Sequence, residues 1–433
     1  MLKKMYVLTM VVAMIFYSLI PLNAGEPQDS SEISVSDETT VSLDSSTEEG
    51  TELTAEVNVD ALWDYLYQAQ SGDEAVIADE VKPEFNFNVK SALLMEAATG
   101  TVLYEYQKGE KLAPASVTKI MTLLLIMEAI DNNTITIEDS VTASENASSM
   151  GGTQIYLEPG ETMSVHELLK AVAIPSANDA AVALAEYIGG SEEGFVQKMN
   201  ARAHDLGMLN TNFANVTGFE DPSHRTTAYD IALMTRELLK HPKIFDYTTI
   251  WMDTLRNGGF GLSNTNKMIR TYQGMNGMKT GFTTDSLYCF SGTAERNGMT
   301  LIAVIMGSPT SNERFAAAGK LLDYGFSSYA LAKGVPETPA PIHVNKGKAP
   351  SVAVIVDGGL GMLVPKGQEK FVESELTLAE EIQAPVEKGR QVGVLTYKIS
   401  GKVVQTCPVL TAEAVDKAGF TDYFGRLFKG LMN

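Results

Sequence analysis

Between Ser116 and the stop at Asp131-Asn132-Asn133, the residues Ile120, Met121, Leu123, Leu124, Leu125 and Ile126 leave almost no polar face. The pattern predicts a helix over residues 116–130 that is apolar nearly all round, and such a helix belongs at the centre of a domain. The rest of the domain has to be layered around it. Its start, Ala113-Pro114-Ala115-Ser116-Val117-Thr118-Lys119, carries a hydroxyl and an amine one turn apart on the same face, about 5 to 6 Å between Cβ atoms. Burial disfavours an ammonium ion and moves Lys119 toward the free amine, the form that accepts a proton. The free backbone N–H groups at a helix start also favour a developing oxyanion beside Ser116.

The surrounding layers show in the periodicity. Residues 91–97 and 101–106 are strand-like about Thr99-Gly100, a hairpin signal. Ser164 and Glu167 form a capping pair for a helix over 164–172 that stops before Pro175. Further helices are expected at 179–188 and at 228–240, the second opened by Thr227 and ended by Pro242. Past Gly281 the texture changes: strands 286–294 and 299–306 flank Arg296-Asn297-Gly298, and helical spacing returns over 313–324. Hairpin, helices, strands and a last helix, in that order, predict an α+β fold, an antiparallel sheet flanked by a helical cluster, occupying residues 83–330.

A Pro-rich linker at 331–341 then leads to short β-like runs over 342–412, read as a small all-β domain without a catalytic cluster. In the last segment, 413–433, Phe420, Tyr423, Phe424, Leu427, Phe428 and Leu431 fall on one helical face and Asp422, Arg426 and Lys429 on the other. That pattern predicts an amphipathic helix lying on a membrane surface; packing on the protein's own surface is the alternative.

Charge is distributed unevenly. Between Gly25 and Val81 there is no Lys or Arg but there are 16 Asp or Glu, so with Lys3 and Lys4 only −7 of the total −21 remains from Lys82 onward. Residues 25–82 are too polar and acidic to fold and read as a spacer, although Leu62, Trp63 and Leu66 near helical spacing suggest a short helix over 59–70. Ahead of it, Lys3-Lys4, an apolar run from Met5 to Leu22 and Leu22-Asn23-Ala24 read as an export signal, residues 1–24, with cleavage after Ala24. A run of about 18 apolar residues can also serve as an uncleaved anchor; either way the folded part is exported. The acidic balance argues against nucleic-acid partners. Cys289 and Cys407 lack any metal-ligand spacing and fall in different predicted domains, and the five histidines form no HExxH, so neither a disulfide nor a metal is expected.

Three short strings carry the chemistry. Ser116-Val117-Thr118-Lys119 supplies nucleophile and base, Ser176-Ala177-Asn178 a second hydroxyl and an amide, and Lys279-Thr280-Gly281 a cation at a strand. Singly they say little: Ser-x-x-Lys should arise by chance about once or twice in a chain of this length, and Ser144-Glu145-Asn146 is a second Ser-x-Asn. Ser176 is preferred because it follows Pro175 in a tight turn between two helices, whereas Ser144 lies in a polar run; as a bare residue Ser176 is also a fair helix cap. Gly281 permits close approach by a substrate or another backbone.

In that order and setting the strings resemble the serine D-alanyl-D-alanine carboxypeptidases, low-molecular-weight penicillin-binding proteins of the β-lactamase/transpeptidase-like superfamily. Pro114-Ala115-Ser116-Val117-Thr118-Lys119-Ile120-Met121-Thr122, Pro175-Ser176-Ala177-Asn178-Asp179-Ala180 and Met278-Lys279-Thr280-Gly281-Phe282-Thr283 carry the resemblance, which covers all but the acidic spacer. It implies that Ser116 attacks the carbonyl between the terminal D-alanines of a peptidoglycan stem peptide and is acylated by β-lactams. It implies Lys119 as base, Ser176 as proton relay tuned by Lys279, Asn178 on the substrate amide, and Ser116 and Phe282 N–H as oxyanion hole. Thr280, Lys279 and Arg314 would take the terminal carboxylate, beside Gly281. No cofactor is implied, and the site would face the outer side of the cytoplasmic membrane. Some relatives carry His where this chain has Phe282, which bears on substrate preference. Asn215-Val216-Thr217-Gly218-Phe219-Glu220 lacks the Glu-x-x-Leu-Asn of class A β-lactamases. An endopeptidase would share every residue named, and a non-catalytic penicillin or muropeptide sensor would share the acylated serine.

Overall fold

A computed structural model of the chain describes residues 83–333, 339–357, 361–399, 401–419 and 422. The export signal, the acidic spacer with its expected helix, and residues 420–433 apart from Asp422, the amphipathic part of the last segment, lie outside the described residues.

The first hairpin forms as expected: β1 (Ser91–Glu96) and β2 (Val102–Tyr106) pair antiparallel. The second lies late in the chain, where β4 (Leu287–Arg296) and β5 (Met299–Ser308) turn through Asn297 and Gly298, both at positive φ. With β3 (Met275–Thr283) they make a five-stranded antiparallel sheet in the order β2-β1-β5-β4-β3, so the N-terminal hairpin docks on the last strand of the domain. Alternation along β1 sorts its residues between two cores. Leu93 and Met95 face the helical cluster; Ala92 and Leu94 face Ala318, Leu321 and Leu322 of α6 (Ser311–Ser328). A sheet buried on both faces explains why β5 is apolar at nearly every position.

The apolar helix is where its composition requires. α1 (Lys119–Asp131) has Ile120, Met121, Leu123, Leu124, Ile126 and Met127 buried, packed within α2 (Val165–Ala173), α3 (Asn178–Gly189), α4 (Glu192–Asp205) and α5 (Ala228–Leu238). α2 has the predicted capping box between Ser164 and Glu167, and Thr227 caps α5 by accepting from Asp230 N–H. α4 went unrecognised in the sequence. Its buried residues are only Phe195, Met199 and Ala203, one per turn among charges, with Ser191 as cap. One expectation is corrected at the start of α1: Ala115–Thr118 is a 3-10 turn, and the α-helix proper begins at Lys119. Ala115 at φ 48° takes the chain out of helical geometry there.

The segment after α6 is also corrected. Residues 331–333, expected to open a linker, belong to strand Tyr329–Lys333, which pairs with Gly361–Pro365 because that strand supplies partners for its backbone groups. Beyond it, a three-stranded and a four-stranded sheet enclose a core containing Val344, Leu395, Tyr397 and Val409. The expected terminal helix does not begin at 413: Val415 exchanges backbone hydrogen bonds with Val386, and Lys417 bridges to Gly347. Cys289 and Cys407 are both free and buried. No helix among the described residues is long and apolar enough to cross a membrane.

Candidate active site

The 3-10 turn holds Ser116 at the mouth of the helical cluster, with Lys119 buried one turn further on. Lys119 Nζ lies 3.0 Å from Ser116 Oγ, 2.6 Å from Asn178 Oδ1 and 3.0 Å from the Thr217 carbonyl. The Asn178 amide is oriented by its other end, where Nδ2 donates to Gly151 O at 2.7 Å. Burial first, then the nearby Lys279 cation, push the Lys119 pKa well below its ordinary value, with Asp179 acting weakly the other way. Both effects disfavour the charged form relative to the free amine. As the ammonium, Nζ donates to all three oxygens; as the free amine it donates to Asn178 Oδ1 and Thr217 O, neither of which can donate, and turns its lone pair to the Ser116 hydroxyl.

Asn178 opens α3, and Ser176 sits just before it at φ 76°. A serine in this region is strained by about 1–3 kcal/mol and persists where its surroundings over-determine it. Here they do: Ala177 N–H donates to Ala171 O and Asn178 N–H to Thr153 O. The Ser176 hydroxyl is buried without a hydrogen-bond partner, an open position for a reacting group. The competing Ser144 is accounted for otherwise, since its side chain caps the short helix Glu145–Ser148.

β3 forms the opposite wall. A Cβ placed on Gly281 would lie 2.7 Å from Pro114 O and 3.1 Å from Ser116 N, so glycine lets the strand close on the serine turn. Lys279 is buried, and desolvation, with the Arg314 charge adding to it, lowers its pKa to about 7. Thr280 Oγ1 donates to Thr265 Oγ1 at 2.7 Å. Arg314 is no surface charge: it is buried under the strand, donating to Gly281 O and Cys289 O at 3.1 Å each, with Nε unpartnered. Burial lowers its pKa to about 10. Phe282 is 53% exposed and lies against Tyr288, ring centroids 4.3 Å apart. Two basic side chains, Lys279 and Arg314, brought together under low solvent exposure favour an anionic ligand.

The structure thus joins Ser116, Lys119 and Asn178 by direct hydrogen bonds, brings Gly281 against the same turn, and holds Arg314 on the Gly281 carbonyl. Sequence reasoning missed the carbonyls of Thr217 and Gly151, because backbone acceptors leave no residue-type signature. The clue available was Gly218, at φ 85° and so close to Ala115 O that a Cβ would stand 1.9 Å from it. Among the described residues no His, Cys, Asp or Glu cluster is placed to hold a metal.

A serine hydroxyl facing a buried lysine amine, walled by a lysine-bearing edge strand of an antiparallel sheet, defines an active-site serine acyl-transfer enzyme. Comparison with known proteins narrows this class. The chain belongs to the D-alanyl-D-alanine carboxypeptidase family of serine peptidases: that family matches residues 77–310, and the C-terminal domain of penicillin-binding protein 5 matches residues 333–417. It is 45% identical to the D-alanyl-D-alanine carboxypeptidase DacF of Bacillus subtilis (strain 168) over 350 residues, 79% of this chain and 90% of the relative. It is 32% identical to DacC of Escherichia coli (strain K12), over 83% of this chain and 91% of that protein. Penicillin-binding protein 5 of Haemophilus influenzae superposes with a TM-score of 0.62 at 28% identity, covering 78% of this chain and all of the other. The enzyme is a serine-type D-Ala-D-Ala carboxypeptidase acting on cell-wall peptidoglycan, outside the cytoplasm.

Proposed function

We propose that Ser116 is the nucleophile and Lys119 its base in removal of the terminal D-alanine from pentapeptide stems. The observation that carries this is the placement of the buried amine: Nζ lies 3.0 Å from Ser116 Oγ, and in its free form Asn178 Oδ1 and Thr217 O take both hydrogens and leave the lone pair for the Ser116 proton. As Ser116 Oγ bonds to the carbonyl carbon, its proton passes to Lys119 and the developing oxyanion takes the N–H groups of Ser116 and Phe282. The unpartnered Ser176 hydroxyl then relays a proton, giving its own hydrogen to the departing amine and taking the one held on Lys119, as the C–N bond breaks; D-alanine leaves an acyl-enzyme that water hydrolyses. Asn178 orients the substrate amide. Lys279 and Thr280 bind the terminal carboxylate, with the Arg314 charge behind them. β-Lactams acylate the same serine, in keeping with the ampicillin-bound penicillin-binding protein D2 of Listeria monocytogenes, 32% identical over 56% of this chain with a TM-score of 0.52. The stretch ending at Glu220 lacks the Glu-x-x-Leu-Asn of class A lactamases, and the Glu220 carboxylate accepts from Asp285 N–H at 3.2 Å, on the turn between β3 and β4.

The test is release of free D-alanine from an acyl-D-Ala-D-Ala peptide, lost in Ser116→Ala. Stable penicillin labelling without D-alanine release would identify a sensor, rapid penicillin hydrolysis a lactamase, and cleavage of cross-linked dimers an endopeptidase. Attachment to the outer membrane face is assigned to the amphipathic residues 420–433; a chain truncated at 419 should lose vesicle binding, and unchanged binding would refute the assignment.

A further inference from the structure

The chemistry above leaves one buried histidine behind the catalytic serine unused. His224 lies on the loop between α4 and α5, its ring edge-on to Phe213. His224 Nε2 is 2.8 Å from Thr118 Oγ1, and Ala214 N–H donates to Nδ1 at 3.2 Å. These contacts fix every proton. Nδ1 accepts, so Nε2 carries the hydrogen of the neutral ring; Thr118 receives it, because its own hydroxyl donates to Ala115 O at 2.8 Å. Burial lowers the imidazole pKa to about 4, so this neutral tautomer prevails at neutral pH.

The chain of bonds ends on the residue that most needs holding. Ala115 sits at φ 48°, and Gly218 of the same loop closes against its carbonyl. The Ala115 C=O and the Ser116 N–H belong to one planar peptide unit, so orienting the first orients the second. We propose that His224 is a positioning residue for acylation: through Thr118 it locks the Ala115–Ser116 peptide plane and aims the Ser116 N–H at the developing oxyanion. This rests on the assignment of that N–H to the oxyanion hole.

Two substitutions separate the two ends of the imidazole. In His224→Gln the side-chain Nε2 can still donate to Thr118; in His224→Asn the shorter amide can still accept from Ala214 N–H but does not reach Thr118. With full-length protein and a penicillin, the limiting acylation rate of H224N should fall about 10- to 100-fold, part of the 10²–10³ lost with a whole oxyanion donor. The dissociation constant of the pre-covalent complex should stay within about threefold. H224Q should recover the rate to within about fivefold. Thr118→Val should be as slow as H224N, and the double variant no slower than either. Wild-type acylation by H224N, equal losses in H224N and H224Q tracking their thermal midpoints, a loss confined to binding, or multiplying losses in the double variant would each overturn the proposal. Ser116→Ala separates this from the wider reading: if it keeps full activity the assignment of the nucleophile fails, whereas an inactive Ser116→Ala beside a fast H224N removes only the role of His224.

Discussion

Replacing Gly281 by alanine tests how closely the sheet must approach the nucleophile. The added Cβ would stand 2.7 Å from Pro114 O, 3.0 Å from Ala115 Cβ and 3.1 Å from Ser116 N. Optimal non-bonded separations are about 3.5–4.0 Å between carbons, so β3 and the serine turn must part by about 0.5–1 Å. The contacts are backbone atoms and a neighbouring Cβ, which no rotamer change relieves. Such a shift moves the Phe282 N–H away from the Ser116 N–H, and a misplacement of about 1 Å costs up to about 10²-fold in rate. The overpacking itself costs about 1–3 kcal/mol of stability. Gly281→Ala should therefore acylate about 10- to 100-fold more slowly, by stopped-flow with a fluorescent penicillin, and melt several degrees lower. Gly261→Ala is the control, since nothing lies within 4 Å of its added Cβ. Acylation by Gly281→Ala within twofold of wild type would refute the claim that glycine is needed there for close approach.

Lys279→Met removes a cation whose field, after burial, helps depress the Lys119 pKa. With Lys119 as the proposed base, acylation should rise with pH through that pKa, so the acid limb of the limiting acylation rate should move to higher pH in this variant; an unmoved or lowered limb would contradict the coupling. Asn178→Ala deletes the acceptor 2.6 Å from Lys119 Nζ and the donor to Gly151 O, and should slow acylation by at least about 10-fold. A wild-type penicillin acylation rate would exclude its part in orienting the base. Ser164→Ala breaks the capping box of α2, far in role from the serine, and should cost about 1 kcal/mol in urea unfolding with D-alanine release intact. A loss of activity without loss of stability would count against that separation.

The elements legible in the sequence were those whose signals are local. An all-apolar helix has to be central, Asn297-Gly298 has to turn a hairpin, and Ser164 with Glu167 has to open a helix, because each depends on residues within a few positions of one another. α4 escaped because three buried residues on an otherwise charged helix carry too weak a periodicity. The strand Tyr329–Lys333 escaped because its partner, Gly361–Pro365, lies past the segment read as a linker.

For the site, the sequence by itself determined which groups are present: the hydroxyls of Ser116, Ser176 and Thr280, two lysines, an amide and a glycine that admits close approach, in an order that marks serine acyl transfer. Tertiary structure decided what those groups are chemically. The charge on Lys119 is disfavoured because burial and Lys279 oppose it, and Nζ is held against Ser116 because the carbonyl of Thr217, 98 positions away, and Asn178, 59 away, accept from it. Arg314 could be a surface cation by sequence and is a buried donor to Gly281 only because α6 packs under the sheet. Protonation state and hydrogen-bond direction follow from desolvation and from backbone acceptors, and neither is written in residue type.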